Sequence, residues 1–229
     1  MDVKQRLVWD LPTRLFHWGL VCALGFQWLS AEILEDSIEL HAYVGYGILT
    51  LLLFRILWGI LGTRYARFSE FVAGPKRTMS YLKGIKNGNP PESIGHNPLG
   101  AWMIIATLLI VLTQAVSGLF LTDDVLFTAP YYYVEAPELK SWMATLHNTL
   151  FNVILGISAV HILAIVLYKF KFKKDLVKPM IHGKKSVPEQ HGISSSRMVL
   201  AVVLLATVAA FVWWLVFVNP PPIVDDFYY

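Results

Sequence analysis

One cysteine, Cys22, occurs in 229 residues. Its solitude excludes an intramolecular disulfide, a CxxCH haem-attachment motif and a cysteine-ligated iron–sulfur centre. Charge is scarce as well: 15% of the residues are Asp, Glu, Lys or Arg, against 55% hydrophobic, and the mean hydropathy is +0.53. Such a composition is foreign to a water-soluble domain of this length. The sequence has no Walker loop, dinucleotide fingerprint, HExxH motif or internal repeat, so nucleotide-driven and zinc-protease chemistry have no foothold. A net charge of +3 and a pI near 8.9 conceal a strong internal asymmetry and do not point to nucleic acid.

What the chain does have is long apolar runs, at about 15–31, 41–61, 99–121, 146–168 and 198–218. Each approaches the roughly 20 residues that a membrane-spanning helix needs, the first only if Pro12 and Thr13 start its helix early. A cleaved signal peptide is the poorer explanation of that first run, because WLSAEILEDS offers no good small-x-small site. Of the 19 Lys and Arg, all but Arg55 and Lys140 fall in the N-terminus, 62–96 and 169–197. The opposite side carries Glu32, Glu35, Asp36, Glu39, Asp123, Asp124, Glu135, Glu138, Asp225 and Asp226. By the positive-inside rule the N-terminus is cytoplasmic and the C-terminus external.

Four histidines lie within these runs. His147 and His161 share one segment and are fourteen positions apart, close to four helical turns, so their rings share a face at levels about 21 Å apart. His17 enters the first span from the cytoplasm and His41 enters the second from outside. The topology therefore sorts the four into two level pairs, His17 with His161 and His41 with His147. Two facing imidazoles are the usual axial set of a low-spin b-type haem, with no coordination position left open. Interhelical hydrogen bonding explains any one of these residues alone. It does not explain why all four match in depth.

Arg55 lies fourteen residues after His41, inside the second span, and calls for a buried anion such as a haem propionate or for a snorkelling path to the interface. Arg14, one turn before His17, is a second propionate candidate or a headgroup anchor. Gly156, between the two histidines of the fourth span, suits close approach of a flat porphyrin, as Gly45 and Gly118 do less directly. His96 occurs in GHNPLGAW, where Asn97 is a helix cap and Pro98 a first helical residue. It reads either as a local hydrogen-bonding residue or as a quinone or proton-exchange site. His182 and His191 read as solvated. Trp9, Trp18, Trp28, Trp58, Trp102 and Trp142 read mostly as an interfacial belt, and Trp213 and Trp214 as lipid or helix contacts.

The stretches VWDLPTRLFHWGL, LHAYVGYGILTLLLFRILWG, HNPLGAWM and LHNTLFNVILGISAVHILAIVLY together resemble the bacterial cytochrome b561 and nickel-iron hydrogenase b-type cytochrome family, related to the cytochrome b subunit of membrane formate dehydrogenase. The resemblance covers about 8–168. It implies an all-α integral membrane protein of the bacterial inner membrane, with a four-helix bundle holding two bis-histidine haem b groups, His17 and His161 on the cytoplasmic one and His41 and His147 on the external one. It also implies electron exchange between quinone near the cytoplasmic haem and a periplasmic partner, either a c-type cytochrome or a hydrogenase-like iron–sulfur subunit.

The expected organisation is a di-haem domain over 8–175, a cytoplasmic basic loop over 176–196, and a fifth transmembrane helix with a short acidic tail over 197–229. The fifth helix is placed to pack against a partner subunit or a second copy, as in a homodimer. The acidic external segments suit a basic partner, although ordinary solvation explains them equally. Two other functions compete with electron transfer to a partner. A self-sufficient superoxide:quinone oxidoreductase would need to draw an anion to an acidic face. A non-redox scaffold or transporter would need to account for matched histidine pairs without a cofactor.

Overall fold

A computed structural model describes residues 3–34, 37–125 and 127–222 of the protein. Glu35, Asp36, Asp225 and Asp226, expected on the external side, lie outside the described residues. Among the described residues there are five long helices: α1 Leu11–Glu32, α2 Ile38–Leu61, α5 Pro98–Ser117, α6 Pro137–Phe170 and α8 Met198–Trp213. Short helices α3 Phe68–Phe71, α4 Pro75–Lys86 and α7 Val177–His182 lie between them. Strands β1 Val3–Leu7 and β2 Lys184–Pro188 form an antiparallel pair in which Val3 faces Pro188 and Leu7 faces Lys184.

Among the described residues four helical spans are long and apolar enough to cross a membrane: Ile38–Leu61, Pro98–Phe120, Pro137–Phe170 and Met198–Val218. The protein is thus an all-α, multi-spanning membrane protein with one small sheet. Helix α1 is 22 residues long but is not among the four, since His17, Gln27 and Trp28 dilute its apolar character. Helices α6 and α8 leave many apolar side chains on the outside of the protein. Val160, Ile162 and Leu163 on α6 and Val199, Val202 and Val203 on α8 are all more than half exposed. In water this surface would drive association, whereas in lipid it is matched to its solvent.

The chain divides into two compact units, and the long helices contribute a segment to each. One unit comprises Met1–Trp18, Arg55–Leu108 and Leu155–Leu204. Its interior is organised by Asp10, only 1% exposed. Oδ1 of Asp10 accepts the backbone N–H of Thr13 at 2.7 Å, capping α1, and the indole N–H of Trp58 at 3.2 Å. Oδ2 accepts the hydroxyl of Thr63. Helix α1 therefore begins at Leu11, with Pro12 in its first turn where a missing N–H does no harm.

The sheet adds an apolar cluster of Val8, Trp9, Tyr65 and Val187 in the same unit. Gly183 ends α7 with φ of +84°, and its carbonyl accepts the N–H groups of both Val8 and Trp9. A side chain there would be strained by that φ and would meet the Trp9 carbonyl at 2.7 Å. Within the basic segment 176–196 lie a helix, a strand and a helical turn. One expectation is corrected. Trp9 and Trp58 are interior residues rather than members of an interfacial belt, at 7% and 0% exposure. His182 is exposed as expected, while the carbonyl of His191, which is only half-exposed, accepts the hydroxyl of Tyr65.

The second unit comprises Gly19–Phe54, Leu109–Ile154 and Leu205–Tyr229. Within it α5 tightens into a 3-10 turn at Gly118–Phe120, and α8 widens into a π-helix at Trp214–Val218. The Tyr131 hydroxyl donates to the Leu215 carbonyl at 3.1 Å, giving that wider turn an outside partner. Asp123 Oδ1 accepts the N–H groups of Val125 and Phe127, closing the turn ahead of the Thr122–Thr128 bridge.

Replacing Asp10 by Ala is expected to remove an N-cap of about 1 kcal/mol and the acceptor of two buried donors at about 1–3 kcal/mol each. Thermal unfolding in detergent should show D10A well below the parent, with D10N between them because its carbonyl oxygen retains the cap.

Candidate functional site

In the first unit α1 presents His17 seven residues, two turns, after its Asp10 cap, and α6 presents His161. Their ring centroids are 6.3 Å apart with planes at 57°. Nδ1 of His17 is buried without a hydrogen-bond partner, and His161 is exposed on α6. Arg55 of α2 belongs to the same unit and is only 2% exposed. Its guanidinium lies over Phe68 at 5.1 Å and Phe16 at 6.0 Å, and Nη1 has no hydrogen-bond partner. Gly59 makes this packing feasible, since a side chain there would collide with the Phe68 ring at 2.1 Å. A buried arginine with an unsatisfied N–H is suited to receive an anion.

His96 stands before α5, whose start is as the sequence suggests: Asn97 Oδ1 caps the N–H of Gly100 at 2.8 Å and Pro98 opens the helix. The His96 ring lies between Trp9 and Phe71, each at 4.5 Å, and its Nδ1 is buried and unpartnered. Burial, followed by the positive charges of Arg55 and Lys185 and then His17, pushes its pKa down to about 3. Lys185 donates to the Ile94 carbonyl at 2.6 Å beside Trp9, and burial lowers its pKa to about 8. Arg14 turns instead to the end of α7, where it donates to the Ile181 carbonyl, although its Nε remains unpaired.

In the second unit His41 of α2 and His147 of α6 face each other with ring centroids 6.4 Å apart and planes at 65°. Nδ1 of His41 is 2.9 Å from the hydroxyl of Ser30, and Nδ1 of His147 is 3.0 Å from the Gln114 carbonyl and 3.1 Å from the hydroxyl of Ser117. Gly118 leaves room for the His147 ring, because a side chain would meet its Cε1 at 3.0 Å. A cavity of about 370 Å³ opens beside the pair, with Ser30, Leu34, Ser37 and Asp123 among its lining residues. Gly45 lies near Gln27, and Gly156 borders open space on α6, where a side chain would touch nothing.

Each unit thus brings together one of the expected histidine pairs. Imidazole nitrogen is a good donor to iron, and a six-coordinate, low-spin b-type haem can take two such ligands. Among the described residues no group of three or more His, Cys, Asp or Glu could hold a bare metal ion. The donor set, the orphaned Arg55 nitrogen and the cavity beside His41 and His147 fit a haem at each pair. Ser30 and Ser117 were not singled out from the sequence. The signal available was their position three residues after a glutamine, in QWLS and QAVS. The sequence profile of the family described as prokaryotic cytochrome b561 matches residues 8–183. No curated protein matches the chain.

The low pKa of His96 sets a pH dependence. Its folded value of about 3 lies below the ordinary 6.5, so an opened state binds the proton more readily. The stability of this corner is full above about pH 6.5 and declines as pH falls toward 3. Hydrogen exchange at the Val8 and Trp9 amides should accelerate over that window relative to the intrinsic rate, and His96→Gln should flatten the profile.

Proposed function

The chain belongs to the prokaryotic cytochrome b561 family, and from that premise we propose that it is a di-haem b-type membrane cytochrome carrying electrons between the quinone pool and a periplasmic redox protein. Family membership and the long apolar helices make it a multi-pass membrane protein, consistent with the bacterial inner membrane. The observation that carries the proposal is the convergence of two imidazole pairs, each within one compact unit, at 6.3 and 6.4 Å. Helix α1 is the fifth crossing in this account, and the basic segments keep the N-terminus in the cytoplasm.

A haem b held by two imidazoles supplies a one-electron redox change at its iron and offers no open position to oxygen. The protein's part is to hold and orient. His17 and His161 would hold the haem of the cytoplasmic site, and His41 and His147 that of the external one. Arg55, whose guanidinium Nη1 has no partner, would pair with a propionate at the cytoplasmic site. His96, kept neutral by its surroundings, presents a hydrogen-bonding nitrogen beside Trp9 and Phe71, a setting suited to a quinone carbonyl. On the other side Glu32, Glu39, Asp123, Asp124, Glu135 and Glu138 favour a basic partner, for which a c-type cytochrome is apt; a hydrogenase-like iron–sulfur subunit is the other class that the family uses.

Detergent-purified protein should contain two b-type haems per chain. Alanine at His17 or His161 should abolish one spectral component, and alanine at His41 or His147 the other. One haem or none in the parent protein, or losses that couple the histidines in other combinations, would overturn the assignment.

A further inference from the structure

The segments QWLS at 27–30, near the end of α1, and QAVS at 114–117, at the end of α5, do the same thing in the unit that contains His41 and His147. Ser30 Oγ–H donates back to the Gln27 carbonyl at 3.1 Å, and Ser117 Oγ–H donates back to the Gln114 carbonyl at 2.8 Å. A hydroxyl has one proton, so each oxygen is left as an acceptor toward the imidazole that faces it. A neutral imidazole that gives Nε2 to an iron carries its hydrogen on Nδ1, so with a haem bound the Nδ1 atoms at 2.9 Å from Ser30 and 3.1 Å from Ser117 would donate to those oxygens. For His147 the Gln114 carbonyl at 3.0 Å requires the same tautomer, because a carbonyl can only accept.

Both rings consequently keep Nδ1–H bound within the protein and leave Nε2 as the free donor. Ser30 and Ser117 are 7% and 0% exposed, so bulk water has little access to their hydroxyls. In the other unit Nδ1 of His17 is buried without a partner. A ligating imidazole whose second N–H is held by an acceptor is more basic and favours the oxidised iron.

We propose that Ser30 and Ser117 are positioning residues that accept the Nδ1–H of His41 and of His147, the latter together with the Gln114 carbonyl, and hold down the reduction potential of the haem bound there. The proposal rests on the di-haem reading above. It gives the protein a means of setting the driving force between the two sites without altering any ligand.

The test is a redox titration of haem absorbance on purified holoprotein carrying S30A, S117A, both together, or the corresponding threonines. Parallel titrations on His17→Ala, which should retain only the haem at His41 and His147, assign the component. The double alanine variant should raise that component by the equivalent of about tenfold in its reduction equilibrium, or ~59 mV for one electron, with the other component unmoved. Threonine can back-bond and accept as serine does, and should restore the parent value. Should alanine also lose the haem, threonine should retain it. Unchanged potentials with full haem content would overturn the proposal, as would threonine behaving like alanine in potential or in haem loss. If H41A and H147A each retained both haems, the di-haem reading itself would fail, independently of the serine result.

Discussion

The constraint on which the structure depends is that polar nitrogen has been placed where neither water nor the surrounding hydrocarbon can satisfy it. Imidazole and guanidinium groups within apolar helices lose hydration, and each must find a partner in the protein or in something the protein holds. The second unit answers part of that demand internally, since Ser30, Ser117 and the Gln114 carbonyl take one nitrogen of each ring. The first unit leaves Nδ1 of His17 and Nη1 of Arg55 unanswered. Both conditions direct attention to the space between facing rings.

Helix starts and ends then become matters of function. The Asp10 cap fixes where α1 begins and hence which way His17 points two turns later, while Trp58 and Thr63 hold the capping carboxylate in place. The β1–β2 pair and the left-handed Gly183 secure the residues just ahead of that cap. In the second unit the end of α5 combines two tasks within two residues: Ser117 bonds the His147 ring and Gly118 leaves space for it.

Much of this was legible in the sequence because membrane helices obey few rules. Apolar length marks four of the spans, and a fourteen-residue interval on one helix sets His147 and His161 on one face. The cap at Asn97 and Pro98 was visible for the same reason, since it depends on adjacent residues. The sheet was not visible: its strands are five residues each, about 180 positions apart, and have no local turn between them to announce the pairing. The interior places of Trp9 and Trp58 were missed because tryptophan near a span end usually belongs to the interface, whereas here Asp10 supplies an acceptor for Trp58 and the sheet covers Trp9. Ser30 and Ser117 escaped notice because a serine in an apolar helix ordinarily satisfies itself by back-bonding. Its remaining lone pair acquires meaning only when another helix brings a histidine to it.

The central claim concerns what lies between the paired rings, and an anomalous difference map at the iron absorption edge, from crystals of the purified protein, addresses it most directly. Two iron peaks are expected, one within bonding distance of His17 and His161 and the other within bonding distance of His41 and His147. A single peak, or iron bound to any other side chains, would contradict the account.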